Sequence, residues 1–242
     1  MQAIIMAAGK GSRLGNLTVG KPKSFVEIKG KKLIDYNLKL LEHFGIKDII
    51  IVTGYQCDEF EKLTEERKSV RCIYNPFYEM MNVLGSFYMG MSFLEDDFIY
   101  LHADTICEPV IFQKLLNKEH DVILPVDYKI CDDEAMKIRS EAGRIVQITK
   151  EMPSEQADGE FIGIASFKRT VLPVLKEKTK QLMKEKAFAA YFESAIQRLI
   201  DDENLDIKAE NTDGAFWAEI DFIEDYERAV VGIPKTLTDI FI

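Results

Sequence analysis

Five short apolar runs punctuate the first 126 residues of this chain, and the first four are each followed by a turn and then by helical periodicity. Ala3-Ile4-Ile5-Met6-Ala7 ends at Gly9, and Ile49-Ile50-Ile51-Val52 is closed by Gly54. Val70-Arg71-Cys72-Ile73-Tyr74 stops at Asn75-Pro76, Phe98-Ile99-Tyr100-Leu101 runs into His102-Ala103-Asp104, and Val122-Ile123-Leu124-Pro125-Val126 is the fifth. Runs that are apolar on both faces suit strands buried on both sides, the condition of a parallel sheet. Between them, residues 33–44 set Leu33, Leu40, Leu41 and Phe44 on one helical face, with Gly45 as the stop. Residues 58–68 and 83–94 also read as helical, and Pro109 opens a helix to about Leu116. The alternation predicts an α/β chain with a Rossmann-like, mostly parallel central sheet and helices on both faces.

After residue 126 the pattern changes. Stretches 136–139, 143–148 and 161–167 predict strands, 170–183 and 187–200 predict helices, and Ala215–Asp221 predicts a last strand leading into a helix at 222–231. A single domain over residues 1–232 is expected, with 233–242 as a tail or truncated linker.

Composition narrows the classes. A chain that is 47% hydrophobic and 30% charged can bury a core. No apolar run approaches the roughly 20 residues a spanning helix needs, and the amino end lacks the basic region of a signal peptide, so a cytoplasmic protein is expected. The net charge of −10 disfavours nucleic acid as a partner. The charge is uneven: the first 32 residues carry +6 and the remaining 210 carry −16. A basic opening on an acidic chain suits a small polyanion, although a solvated lysine face accounts for the same count. Cys57, Cys72, Cys107 and Cys131, with His43, His102 and His120, form no zinc pattern, so reduced structural thiols are expected.

The chemistry concentrates in the opening turn. Ala7-Ala8-Gly9-Lys10-Gly11-Ser12-Arg13-Leu14 follows a buried strand, so its glycines let backbone N–H groups approach an anion, and Arg13 can grip a phosphate with two donors. Ten residues on comes Lys23, in Lys21-Pro22-Lys23. The turn is not a P-loop, and Leu14 breaks the dinucleotide fingerprint. Two aspartates sit at the ends of apolar strands, Asp104 and Asp221. Strand ends of a parallel sheet face the ligand crevice, and paired carboxylates suit Mg²⁺ with phosphates and water. Each aspartate alone would serve equally as a helix N-cap.

The segment A-A-G-K-G-S-R-L, then P-K, resembles the opening signature of the sugar-phosphate nucleotidyltransferase superfamily, and the likeness runs from Gln2 to about Val230. Met6 and Asn16 stand where that family usually has Leu and Pro. The resemblance implies the fold of a nucleotide-diphospho-sugar transferase. It implies a nucleotide cradle at Ala7, Ala8, Gly9 and Gly11, phosphate contacts and catalytic roles for Arg13 and Lys23, and Mg²⁺ on Asp104 and Asp221 within Glu219-Ile220-Asp221. It also implies base recognition by Asn82, Gly85 and Ser86, for which a pair of helix caps is the simpler alternative.

The compact chain most resembles small bacterial cytidylyltransferases that use CTP on phosphocholine or 2-aminoethylphosphonate. A cationic acceptor calls for acids and aromatic faces, and Asp132, Glu160 and Trp217 are candidates. Because the 127–134 segment holds only one aromatic, Tyr128, the phosphonate with its primary amine is favoured. Phosphocholine, or a sugar phosphate with another NTP, is the alternative. Outside this class stand an oxidoreductase, which the missing third glycine disfavours, and a domain that only senses a nucleotide.

Overall fold

The first strand shows why the sheet is buried on both sides. In β1 (Gln2–Ala7) every residue is buried, with Ile4 and Met6 facing one layer and Ala3, Ile5 and Ala7 the other. The computed structural model describes residues 1–117, 119–202 and 205–242. A small hairpin follows β1, β2 (Glu27–Ile28) with β3 (Lys31–Lys32). The chain then continues as α1 (Leu33–His43), β4 (Asp48–Thr53), α2 (Asp58–Glu66), β5 (Val70–Tyr74), α3 (Val83–Gly90), β6 (Phe98–His102), β7 (Thr105–Cys107), α4 (Pro109–Leu115) and β8 (Val122–Asp127). The second half supplies β9 (Lys137–Glu141), β10 (Arg144–Thr149), β11 (Gly159–Phe161), β12 (Ile164–Phe167), α5 (Leu172–Lys184), α6 (Glu193–Asp202), β13 (Ile207–Asn211), β14 (Trp217–Glu219), α7 (Ile223–Gly232) and α8 (Lys235–Thr238).

Among the described residues the main sheet has ten strands in the order β11-β9-β10-β13-β8-β12-β6-β1-β4-β5. Strands β1, β4, β5 and β6 are mutually parallel, and β13 is parallel to β8. Counted by direction, β1, β4, β5, β6, β8, β9 and β13 run one way, and β10, β11 and β12 run the other. This is the α/β, Rossmann-like arrangement with a mixed, mostly parallel sheet. Leu84 and Phe87 of α3, Leu175 and Leu182 of α5, and Ile196 and Leu199 of α6 fill one face. Ile34 and Leu38 of α1, Phe60 of α2, and Ile111 and Phe112 of α4 fill the other.

The structure departs from expectation in four places. The run 161–167 is two strands, because Gly163 at φ +77° turns the chain between them. Strand β13, which the sequence reading passes over, pairs with β8 and β10 inside the sheet. Its Lys208 and Glu210 are half-buried and its Ile207 and Ala209 are buried, so its apolar content is low. The stretch 215–221 contributes only β14, which leaves the main sheet and pairs antiparallel with the unpredicted β7.

The predicted helix 187–200 begins only at Glu193. The preceding residues are held by the amino end of α3: Asn82 N–H donates to Phe188 O at 2.7 Å and Leu84 N–H to Ala190 O at 3.4 Å. The first N–H groups of a helix have no partner within it, and here Ala190 O takes the Leu84 N–H, Asn82 Oδ1 the Val83 N–H, and Phe188 O the N–H of the cap residue. Residues 234–242 pack near α1, with Leu237 fully buried and the Phe241 ring 5.0 Å from Tyr36.

Candidate active site

The backbone brings the two aspartates together. Asp104 lies in the turn between β6 and β7, and β14 runs back along β7 until Ile220 N–H donates to Asp104 O at 3.1 Å. Asp221 is the next residue. Between the two carboxylates sits Lys23, whose Nζ is 2.5 Å from Asp104 Oδ2 and also donates to Asp221 Oδ1. Burial pulls the Lys23 pKa down, but Asp104, Asp221 and Glu219 outweigh it and hold the ammonium charged well above its usual range. The same pairing, with His102, overcomes burial and holds the Asp104 carboxyl below the usual carboxylate range.

Arg13 completes the group from a more open position. Its Nη1 is 3.8 Å from Asp221 Oδ2 and 3.7 Å from Glu134 Oε2, and its guanidinium lies 5.0 Å from the Phe222 ring centre. The glycine turn packs onto this cluster. Gly11 has φ +67°, and a Cβ there would stand 2.8 Å from the Lys23 Cβ, so both the backbone and the space call for glycine. Thr18 Oγ1 donates back to Gly11 O at 2.9 Å and closes the turn.

Two cavities meet at this cluster. The first, of about 280 Å³, is lined by Ala8 and Gly9 on the turn side, Asn82 and Ser86 on α3, and Lys150, Phe161, Tyr191 and Glu193 from the second half of the chain. Ala7 ends β1, buried and paired with Thr53. The second cavity, of about 500 Å³, collects Asp132, Glu160 and Trp217. Glu134, Glu219 and Asp221 border both.

The base-reading candidates are largely occupied. Asn82 Oδ1 accepts from Val83 N–H at 2.8 Å and caps α3, while its Nδ2 donates to Ala189 O at 3.2 Å. Gly85 is buried in α3, where a Cβ would meet Met81 at 2.6 Å. Ser86 Oγ accepts from Asn75 Nδ2 at 3.1 Å. In the second cavity, Lys129 Nζ is 2.7 Å from Glu160 and 4.8 Å from the Trp217 ring centre, and Trp217 Nε1 donates to Asp127 at 3.1 Å. Asp132 Oδ1 accepts from the N–H groups of Glu134 and Ala135 at 3.0 Å each.

The sequence reading missed a polar group beside Asp104. His102 Nδ1 is 3.4 Å from Glu219 Oε1, and its Nε2 is 2.9 Å from the Tyr100 hydroxyl. Burial alone would lower the His102 pKa, but the Glu219 contact, with Glu193 and Asp104 nearby, pushes it up to about 9. Burial raises the Glu193 carboxyl, whose two oxygens find no hydrogen-bond partner. A motif could flag Glu219, two residues before Asp221, and His102, two before Asp104. Glu193 and Lys150 carry no local signal.

The donor set fits a hard divalent cation. The ligand atoms of His102, Asp104 and Glu219 lie within 4.8 Å of one another, and Asp104 and Asp221 already enclose one positive charge. Among the described residues no helix is long and apolar enough to cross a membrane.

The family model of the MobA-like NTP transferase domain matches residues 3–181. The chain is 30% identical to the CTP:phosphoglutamine cytidylyltransferase of Campylobacter jejuni, over 94% of this chain and 98% of the relative. It is 27% identical to a choline-phosphate cytidylyltransferase of Streptococcus pneumoniae, over 94% and 96%. Among solved structures, the CTP:phosphocholine cytidylyltransferase of S. pneumoniae superposes with a TM-score of 0.80 at 24% identity, covering 96% of this chain and 99% of that one.

Proposed function

The chain belongs to the MobA-like NTP transferase family, and from that premise we propose that it transfers CMP from CTP to a small phosphorylated amine, releasing pyrophosphate. Nucleotidyl transfer is the activity of the class. CTP or a cytidylyl group and a phosphorylated acceptor appear in the names of two relatives that match 94% of the chain. One observation carries the assignment to this site: Lys23 held between Asp104 and Asp221, with Arg13 beside them, where two cavities join.

In the proposed reaction an oxygen of the acceptor phosphate attacks the α-phosphorus of CTP. A new P–O bond forms, and the bond to the β-phosphate oxygen breaks. The acceptor oxygen is already deprotonated, so no general base is needed. The obstacle is repulsion, because each pair of unit charges about 4 Å apart costs about 1 kcal/mol in water and several times more in a dry cleft. Arg13 and the turn at Ala8, Gly9 and Gly11 would hold the β- and γ-phosphates. Lys23 would meet charge building on the α-phosphate, so its contribution is electrostatic and positional. Asp104 and Asp221, with Glu219 alongside, would hold Mg²⁺, which when bound neutralises part of the triphosphate charge.

The choice of acceptor shifts from the sequence reading. Residues 127–134 by themselves hold a single aromatic, Tyr128. The fold brings Tyr78, Phe161 and Tyr191 to one cavity and Phe216, Trp217 and Phe222 to the other, so aromatic faces are not scarce. A phosphorylated amine of the phosphocholine kind is the better reading, and Asp132, Glu160 and Trp217 line the second of these cavities.

The test crosses four NTPs with phosphocholine, phosphoethanolamine, 2-aminoethylphosphonate, inositol phosphate and sugar phosphates, scored by Mg²⁺-dependent pyrophosphate release. CTP with a phosphorylated amine is expected to lead. Turnover led by a sugar phosphate on another NTP would replace the reading, and nucleotide binding without any turnover would make the chain a sensor. Asp104→Asn is expected to lower kcat by orders of magnitude with the fold intact.

A further inference from the structure

Among the described residues, Glu193 is a buried carboxylate left with both oxygens unsatisfied. Its side chain is 2% exposed, neither Oε1 nor Oε2 has a hydrogen-bond partner, and it lines the first cavity. A buried polar group whose oxygens accept no hydrogen bond is costly, so such groups are normally satisfied or await a ligand. The nearest cation does not meet the need. His102 Nε2 stands 4.0 Å away, beyond hydrogen-bonding reach, and its two ring nitrogens already contact Tyr100 and Glu219. The position is firmly built. Glu193 opens α6 directly after Phe192, whose ring stacks on Tyr100 with centres 4.0 Å apart.

The same cavity carries a lysine that the proposed reaction has not used. Lys150 lines it, with Nζ 4.9 Å from the Tyr191 ring centre and 3.9 Å from Glu134 Oε2. The second cavity offers less to an incoming ammonium, because Lys129 already stands over Trp217 and against Glu160.

We propose that Glu193 receives the positive end of a zwitterionic acceptor in the first cavity, with Lys150 on its phosphate side, rather than the Trp217 and Glu160 group receiving it in the second. This rests on the cytidylyltransferase reading and names the residue that selects the amine. An ammonium there supplies the positive charge that Glu193 lacks, and a primary one supplies N–H donors as well, with Tyr191 and Phe161 as aromatic walls.

The experiment compares, by calorimetry, CDP-ethanolamine with its uncharged analogue CDP-ethanol and with CDP. Wild type is expected to bind CDP-ethanolamine at least tenfold more tightly than CDP-ethanol. Glu193→Gln should abolish that preference and leave the affinity for CDP unchanged. Lys150→Met should raise KM for the acceptor without changing KM for CTP. Wild type without the preference, or a glutamine variant that keeps it, overturns the proposal, and so does a variant that weakens CDP and CDP-ethanolamine equally. Where Glu193→Gln does not fold, the wild-type preference and the Lys150→Met split decide. Failure of the cytidylyltransferase reading looks different: no pyrophosphate release from CTP with any amine acceptor.

Discussion

The ammonium of Lys23 lies 2.5 Å from the carboxylate of Asp104, across 81 residues of sequence. Its second carboxylate partner is Asp221, so removing the lysine leaves two acids facing each other in a partly buried cleft. Lys23→Ala is expected to lower kcat by about 10²–10³, the usual scale for losing one electrostatic stabiliser. In EDTA its Tm should also fall, and MgCl₂ should raise that Tm by more than it raises the wild-type value. Scanning fluorimetry reads this, and an equal response in both proteins would separate Lys23 from the cation site.

Gly11→Ala tests the turn. Its φ of +67° and the 2.8 Å approach to the Lys23 Cβ make even one methyl group unwelcome. A loss of about 1–2 kcal/mol of stability is expected from the left-handed backbone alone, together with reduced turnover as Lys23 is displaced. Urea unfolding with parallel kinetics measures both, and an unaltered midpoint contradicts the prediction.

The pH dependence follows from His102. Its folded pKa, about 9, exceeds the reference value of 6.5, so its contribution is stabilising. That contribution is fully present below about 6.5 and is lost as pH rises through about 9, and it amounts to something on the order of 3 kcal/mol. In metal-free protein, stability is expected to decline across that window, and His102→Gln should flatten the decline. Imidazole resonances followed by NMR should include one with a midpoint near 9.

Thiol reactivity gives an independent check on burial. Burial pushes the Cys107 thiol up to about 12 and the Cys72 thiol up to about 11, while Cys131 is also buried. Only thiolates react readily. Near pH 8 a thiol reagent should therefore label Cys57 first and Cys72 slowly, reaching Cys107 and Cys131 only on unfolding. Rapid labelling of Cys107 in native protein would contradict the packing of β7.

What the sequence made legible follows physical range. Strands such as β1 and β4 are apolar on both faces, so local pattern alone exposes them. Strand β13 alternates Ile207 and Ala209 with charged residues, and only its neighbours β8 and β10 explain its place in the sheet. The carboxylates at 104 and 221 are visible because each ends an apolar run. Glu193 reads as an ordinary first-turn acid, because its missing partners exist only in three dimensions. Asn82 shows the reverse limit: the motif marks it, and the structure spends its amide on Val83 and Ala189.

The carbonyls of 188 and 190 that seal the first turn of α3 also lead straight into Glu193. The α3 wall and the Glu193 wall of the first cavity are therefore seamed together along one edge. Among the described residues, Arg13 and the glycine turn carry no such tie to residues 188–190. A substitution that loosens one of these walls should therefore be felt at the other.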